Sequence, residues 1–445
     1  MWIGFFVVLN ANGREIGNFD TQPGKFAARE LALNGTLTLD RVVRAQPLYG
    51  ERSAFVHTPD GHWRNAYSPV PVLEAGAVGF VLSRLHLLDL ESPGAPSILA
   101  KLTASLLIST AGLFCFLVAA RITSTGGAAL TAVGFVLGTG LWPTASQTLW
   151  QHESAVAALM AAVWLATGPL QPHEARRVLS VGVLLAIAGA SRPQLAPEIA
   201  WLSLAVMWRV QPRNWIAGVL PLLAGMAILL ALNYAWFGNL LGAMPILEQV
   251  HPRIHAVTSS IDNVTVGATG LLISANRGLL VFSPIVLVSL LGLRRKDDRP
   301  SPGVSAGVCA AGALAQFLFY ALYSVWWGGH TYGPRYCLDL LPLLVPAAAF
   351  GVTRLMTMPA WTRALAVAAL CWSVIVSATG AFVYPNDLWN IDPLDVDRRH
   401  ERLWDWRDSQ IARCWSRGPS PQNFELFYGD AWRAANRNPG DTEKH

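Results

Sequence analysis

The side chains able to do chemistry in this chain gather where apolar runs begin or end. Asp20 stands in Gly17-Asn18-Phe19-Asp20-Thr21. A carboxylate just outside an apolar run suits a general base that takes a proton from an acceptor hydroxyl. Asp is equally a good helix N-cap, here for Gln22–Asn34. Arg335 lies in Trp326-Trp327-Gly328-Gly329-His330-Thr331-Tyr332-Gly333-Pro334-Arg335-Tyr336, a polar, aromatic, glycine-rich segment between two long apolar runs. Lipid tolerates such backbone only where protein or a water-filled cavity covers it. A guanidinium there suits a phosphate through its planar fork. The plainer alternative is an arginine that snorkels to lipid headgroups. Arg192, in Ala190-Ser191-Arg192-Pro193-Gln194, either lines a cavity or marks a tight turn, and Arg277, in Asn276-Arg277-Gly278-Leu279-Leu280, is placed in the same way. His152 and Glu153 begin another apolar run. They suit a metal or a substrate hydroxyl, or a capping role. His330 stands between hydrogen-bond partner and catalytic group. Tyr67, Trp142, Trp150, Trp326, Trp327, Tyr332 and Tyr336 flank these positions, as stacking surfaces for a sugar ring or as an interfacial belt.

The elements that must position these groups are membrane helices. The chain has 445 residues, 53% hydrophobic and only 14% charged, with a mean hydropathy of +0.37. A soluble protein would carry about a quarter charged residues. Apolar runs fall at about 99–120, 127–145, 154–169, 178–191, 195–208, 214–237, 278–293, 303–325, 337–353 and 361–384. Met1–Ala11 is apolar too, but as a helix it covers only ~16 Å against ~30 Å of hydrocarbon. The expectation is that the true N-terminus lies upstream of Met1. The fold class is therefore an all-α polytopic membrane protein of about 11 spans. A transmembrane domain fills 1–384, with a long first outer loop at 12–98, and an extracytoplasmic tail fills 385–445.

Charge gives the orientation. Arg121, Arg176, Arg177, Arg209, Arg213, Arg294, Arg295, Lys296, Arg299, Arg354 and Arg363 all lie in short loops on one side. The positive-inside rule makes that side cytoplasmic. The same rule accounts for the net charge of +5 without nucleic acid. Cys115, Cys309, Cys337, Cys371 and Cys414 show no paired spacing, so neither a disulfide framework nor a zinc site is indicated. In the first outer loop, Lys25–Asn34 reads as a short helix closed by Gly35. Pro69–Leu88 reads as a helix lying along the interface, because counting it as a span would invert every later loop. The reactive groups, with Asp40, Asp60, His62 and Arg64, then share the outer face. Phosphate-binding Gly-Lys loops and HExxH are absent from the sequence.

The order of these segments resembles the GT-C superfamily of membrane glycosyltransferases, which includes protein O-mannosyltransferases and the aminoarabinose transferase of lipid A. Asn12-Gly13-Arg14-Glu15-Ile16-Gly17-Asn18-Phe19-Asp20-Thr21 is similar to the family's acidic motif in its first outer loop. Asp60-Gly61-His62 with Tyr67-Ser68-Pro69 resembles the later half of that loop. Leu141-Trp142-Pro143 with His152, then Ser191-Arg192-Pro193, Asn276-Arg277-Gly278-Leu279 and Gly333-Pro334-Arg335-Tyr336 followed by Pro342, are similar to later segments of bacterial members. Many members carry a second acidic residue beside the first; here Asp20 stands alone in its motif.

The resemblance implies inverting transfer of a sugar from a polyprenyl-phosphate donor to a glycan, lipid or protein acceptor. The site would lie on the outer face of a bacterial inner membrane. Asp20 would be the catalytic base. Arg335, Arg192 and Arg277 are the candidates for the donor phosphate. Tyr67, His152, Glu153, His330, Tyr332 and Tyr336 are the candidates for substrate contact. The resemblance assigns no certain cofactor and leaves a divalent metal open. The rival classes are a transporter or lipid flippase, which calls for polar groups at the midplane and matched broken helices, and a membrane scaffold without an Asp–Arg constellation.

Overall fold

The computed structural model describes residues 1–51, 54–169, 174–250, 258–293 and 303–428. Arg294, Arg295, Lys296 and Arg299, and the end of the tail from 429 to 445, lie outside the described residues. The described chain is mostly helical. It runs α1 (Trp2–Asn10), α2 (Gln22–Asn34), α3 (Asp40–Ala45), β1 (Phe55–His57), β2 (Trp63–Asn65), α4 (Val70–Arg84), α5 (Ala95–Ala119), α6 (Thr125–Leu137), α7 (His152–Thr167), α8 (Ala175–Ser191) and α9 (Ala196–Met207). It continues through α10 (Trp215–Phe237), α11 (Met244–Val250), α12 (Val264–Ile273), α13 (Leu279–Phe282), α14 (Val288–Leu293), α15 (Ala306–Ala321), α16 (Leu341–Leu355), α17 (Ala360–Val383) and α18 (Gln410–Arg417).

Three of these helices are long and apolar enough to cross a membrane: α5, α10 with the preceding turn from Pro212, and α17. Six shorter apolar helices accompany them. The helices meet where side chains are smallest, as membrane helix packing requires. A Cβ on Gly182 of α8 would collide with the carbonyl of Gly218 on α10. One on Gly292 of α14 would strike the Ala347 carbonyl of α16.

Two expected spans are interrupted. The run at 127–145 leaves helix at Leu137, because Gly138, Gly140 and Pro143 convert it into a π-type turn, Leu141–Ala145. The run at 278–293 is broken at Ser283-Pro284 into α13, a 3-10 turn and α14. Proline has no N–H to give the helix and crowds the preceding turn.

The segment between α1 and α5 forms a small subdomain seated on the N-terminal end of α5. α2 ends at Gly35, whose φ of +65° is the left-handed closure expected from sequence. α4 lies within the expected interfacial stretch. Ala27 and Ala28 of α2, Val72 and Ala75 of α4, and Leu99 and Ala100 of α5 share one apolar cluster. Between the helices sits an antiparallel hairpin that pairs Phe55 with Asn65 and His57 with Trp63. Its turn is Asp60-Gly61, with Gly61 at φ +85°. Four charged groups around the hairpin pair with each other: His62 Nδ1 lies 2.6 Å from Asp40 and Arg64 Nη2 lies 2.7 Å from Asp60. Their role here is to close the hairpin, not to face a ligand.

The loop between α1 and α2 is pinned from beneath by buried polar groups. Lys101 of α5 donates to the Leu9 carbonyl at 2.8 Å and to Gln147 Oε1 at 2.6 Å. Asn12 donates to the same Gln147 oxygen and to the Ala381 carbonyl. Arg14 donates through Nη2 to the carbonyls of Ala381 and Tyr384. The tail completes the clamp: the amides of Phe424 and Leu426 donate to the carbonyls of Asn12 and Gly13.

Candidate functional site

Asp20 sits on that pinned loop. The helix after it is capped differently from the N-cap expectation: the N-cap is Thr21, without a side-chain cap bond, and Asp20 lies one residue before it. The carboxylate is thus free of that structural duty. The Asp20 backbone amide is held by Asn18 Oδ1 at 2.8 Å. Glu15, on the same loop, is occupied by Lys25 Nζ and Thr148 Oγ1, each at 2.6 Å. Asp20 lines a small pocket with Asn65, Tyr67, Ser68 and Gln151.

Tyr67 links this carboxylate to the arginine of the glycine-rich segment. Burial first, and then the neighbouring Asp20 carboxylate, push the Tyr67 hydroxyl well above the ordinary phenol range, while the Arg335 charge pulls it back. Asp20 and Arg335 therefore both act on Tyr67. Arg335 opens a 3-10 turn, Arg335–Leu338. Its guanidinium carbon stacks 5.1 Å from the Trp150 ring centre and 5.7 Å from that of Tyr336. Its Nε is buried without a hydrogen-bond partner. Among the described residues no carboxylate forms an ion pair with it. The segment reaches this position through left-handed glycines: Gly333 has φ +67°, and a Cβ there would come within 2.7 Å of the Phe282 ring.

Arg192 and Arg277 are placed otherwise. Arg192 Nε lies 3.2 Å from Asp339 Oδ2, so a buried carboxylate already balances its charge. Arg277 is fully buried and all five of its N–H donors are engaged. They reach the carbonyls of Trp327, Asn276 and Gly329 and the side-chain oxygens of Gln410 and Asn390. Arg277 ties the glycine-rich segment to the tail and has no donor left for a phosphate.

The substrate-contact candidates divide in the same way. Tyr336 stacks on Tyr320 with centroids 4.7 Å apart and rings nearly parallel, beside Arg335. Glu153 accepts from the backbone amides of Trp150 and Gln151, at 3.0 and 3.2 Å, and so fixes the turn that presents Trp150 to Arg335. Gln151 holds a left-handed φ of +76° in that turn. Tyr332 is buried away from the pocket, with its hydroxyl donating to the Val376 carbonyl. His152 contacts Asp339, Nδ1 to Oδ1, at 2.7 Å.

Asp339 was not singled out from the sequence. It is fully buried and holds His152, Arg192 and Tyr320, whose hydroxyl lies 2.6 Å from Oδ2. One signal was available: it is the only charged residue in the apolar run 337–353, and a carboxylate within such a run is a functional candidate by default.

His330 belongs to the tail. Its Nε2 lies 3.0 Å from Asp395 and 3.3 Å from Asp397. These three groups have metal-like spacing, but the imidazole nitrogen already serves both carboxylates. The hydrogen bond to Asp397, then that to Asp395, raise His330 above its ordinary value against the effect of burial. Bonds from His330 and Trp327 hold Asp397 below its ordinary value although burial alone would raise it. The sign follows from linkage. The His330 contribution is complete below its unfolded value and is lost as pH rises through the raised folded value. The Asp397 contribution is present above the ordinary carboxylate range and is lost as pH falls through its lowered value. The tail is expected to dock best between these limits. Protease nicking within 385–428 should rise on the alkaline side in wild type. In His330→Gln that alkaline rise should vanish; its persistence would remove His330 from the account.

No protein-family model matches the chain, and no curated protein matches it. Among solved structures it is similar to ArnT from Cupriavidus metallidurans bound to undecaprenyl phosphate, at 12% identity and TM-score 0.47, over 96% of this chain and 74% of that one. It is similar to the Archaeoglobus fulgidus oligosaccharyltransferase in complex with zinc and sulfate, at 13% identity and TM-score 0.49, over 94% of this chain and 58% of that one. A third likeness is AglB of the same organism with an inhibitory peptide and a dolichol-phosphate, at 11% identity and TM-score 0.44, over 94% and 61%. The chain thus spans 58% to 74% of the length of these structures. These structural neighbours are GT-C membrane glycosyltransferases.

Proposed function

We propose that this chain is an integral-membrane glycosyltransferase that moves a sugar from a polyprenyl-phosphate donor to an acceptor at the extracytoplasmic face, with inversion. The observation that carries the proposal is the meeting of a carboxylate free of capping duty, Asp20, with an arginine that has no acidic partner among the described residues, Arg335, across Tyr67. Asp20 takes the acceptor proton. Arg335 holds the donor phosphate and stabilises the charge that grows on it as the sugar departs. Arg192 stays neutralised by Asp339 and helps to shape the wall behind the clamp. An apolar groove along α16, lined by Leu341, Val345, Val352 and Met356 and bordered by α6, α14 and α17, is assigned to the prenyl chain. Its outer end at Leu341 lies six residues after Arg335 in the chain.

This reading keeps about 11 spans, with α4 on the interface and the tail outside, in a bacterial inner membrane. Leu73, Phe80 and Val81 of α4, and Leu85 just after it, are exposed apolar groups that suit an interfacial helix. The orientation is open to a direct check. Cys414 is buried, so the reporter must be introduced at an exposed tail position. Arg398→Cys is expected to react with a membrane-impermeant maleimide in intact cells. Labelling only after permeabilisation would reverse the assigned topology. The activity is tested by mass spectrometry of glycolipids and surface glycans in a deletion strain. Complementation with wild type should restore a sugar-bearing species that the strain lacks; unchanged glycans throughout would overturn the proposal.

A further inference from the structure

Three nitrogen atoms around the arginine clamp are buried and lack hydrogen-bond partners: Arg335 Nε, Trp150 Nε1 and His152 Nε2. They belong to one neighbourhood. Arg335 stacks on Trp150, His152 follows Trp150 by two residues, and the Arg335 charge acts on the His152 ring. A buried polar atom without a partner is costly, so three close together describe a surface that a ligand completes. Two of them, on Arg335 and Trp150, can only donate, and their natural partner is an anion.

His152 is the exception, and its geometry is informative. Asp339 Oδ1 lies 2.7 Å from Nδ1. That bond makes Nδ1 the protonated nitrogen of a neutral ring and leaves Nε2 as a bare acceptor. A phosphate oxygen beside Arg335 and Trp150 would then meet a lone pair at Nε2. Protonation of Nε2 turns that repulsion into a donated, charge-assisted bond. A carboxylate on the far nitrogen is the arrangement that orients an imidazole and supports its cation.

We propose that His152, held by Asp339, is a proton-carrying ligand of the lipid phosphate, so that phosphate binding draws a proton onto Nε2. This rests on the assignment of Arg335 as the phosphate clamp. The groups around His152 set the balance. Burial first, then Arg192 and Arg335, oppose its proton and hold the unliganded ring down at about 4. Asp339 favours it, but shares its charge with Arg192 and accepts from Tyr320. Glu153 is occupied by two backbone amides, Glu74 accepts from Ser154, and Glu198 is buried with neither oxygen partnered. A bound phosphate supplies the negative charge that tips this balance. The donor is a phosphodiester with one negative charge, and the leaving group is a monoester with up to two. During transfer the bond from the anomeric carbon to the phosphate oxygen breaks and its electron pair stays on that oxygen. The acceptor oxygen forms the new bond to carbon, and its proton goes to Asp20. The proton on His152 comes from water and remains at Nε2, facing the oxygen that has gained charge.

The test uses the purified full chain in lipid nanodiscs, titrated with farnesyl phosphate, a short polyprenyl monophosphate. Calorimetry in two buffers of different ionisation heat counts protons taken up on binding. Near pH 8 a phosphate monoester, with a second pKa of about 6, is already fully ionised, so uptake reports on the protein. Wild type is expected to take up a measurable fraction of a proton. His152→Gln should still bind, within about tenfold, but take up none. Asp339→Asn should lower the uptake more than the affinity, as befits a positioning residue. Wild-type binding without uptake overturns the proposal, and that measurement needs no variant to fold. Unaltered binding by Arg335→Ala would instead remove the clamp assignment, and this proposal with it. Arg335-dependent binding with equal uptake in wild type and His152→Gln would refute the role of His152 alone.

Discussion

Replacing Asp20 by Asn is expected to lower sugar transfer by about 10²–10⁴-fold, the range that a positioned general base contributes. The substitution preserves shape and leaves an oxygen that can still accept from Tyr67, so the pocket should persist. The fold should persist too, because Asp20 neither caps α2 nor forms an ion pair among the described residues. What is lost is the ability to take a proton. The measurement is transfer from a polyprenyl-phosphate-linked sugar by purified protein, alongside farnesyl phosphate binding. Binding should be close to that of wild type. Normal turnover by Asp20→Asn would eliminate the base. Loss of binding and turnover together would instead make Asp20 a structural residue of the loop.

Arg335→Ala should weaken polyprenyl phosphate binding by about 10–150-fold, the equivalent of about 1.5–3 kcal/mol for hydrogen bonds to a charged group. Acceptor binding should change little. Arg335→Lys keeps the charge but loses the planar fork and its stacking on Trp150, and is expected to fall between the two. Arg192→Ala offers the contrast. It leaves Asp339 buried with one partner fewer, and truncating a buried pair costs about 3–5 kcal/mol of stability. Its signature is therefore a lower melting temperature rather than a selective loss of lipid phosphate. If Arg335→Ala melted early while retaining normal affinity, the two arginines would have to exchange roles.

Much of the helical frame was legible in the sequence because apolar runs and their breakers act locally. Gly35 closes α2 where a left-handed residue is required, and α7 begins at His152 as the run of apolar residues predicts. The two interrupted spans show where that reading stops. Pro284 was visible within its run, but whether a proline kinks or severs a helix depends on neighbours that satisfy the freed carbonyls. Hydropathy alone cannot supply them. The site was legible as a set of residue types but not as a set of pairings. Arg192, Arg277 and Arg335 have similar local surroundings in sequence. What separates them are partners far along the chain: Asp339 for Arg192, Gln410 and Asn390 for Arg277, and no acidic group among the described residues for Arg335. Asp339 was passed over because its own segment looks like ordinary apolar helix. Its meaning comes from His152, which arrives from 187 positions earlier.

The tail carries a consequence for how the protein comes into being. The Asp20 loop and the Arg335 segment are both tied to residues that follow the last described helix of membrane-crossing length. The amides of Phe424 and Leu426 hold the Asp20 loop at Asn12 and Gly13, while Gln410 and Asn390 hold the Arg335 segment through Arg277. A ribosome delivers those residues last. Until they emerge and dock, a nascent chain can insert its helices and rest its first loop on Lys101 and Gln147, but lacks the tail's bonds to Asn12, Gly13 and Arg277. On the proposed function, full activity would then wait for the last residues to be made, and the first molecules able to consume donor lipid would be those whose synthesis has run past the final span.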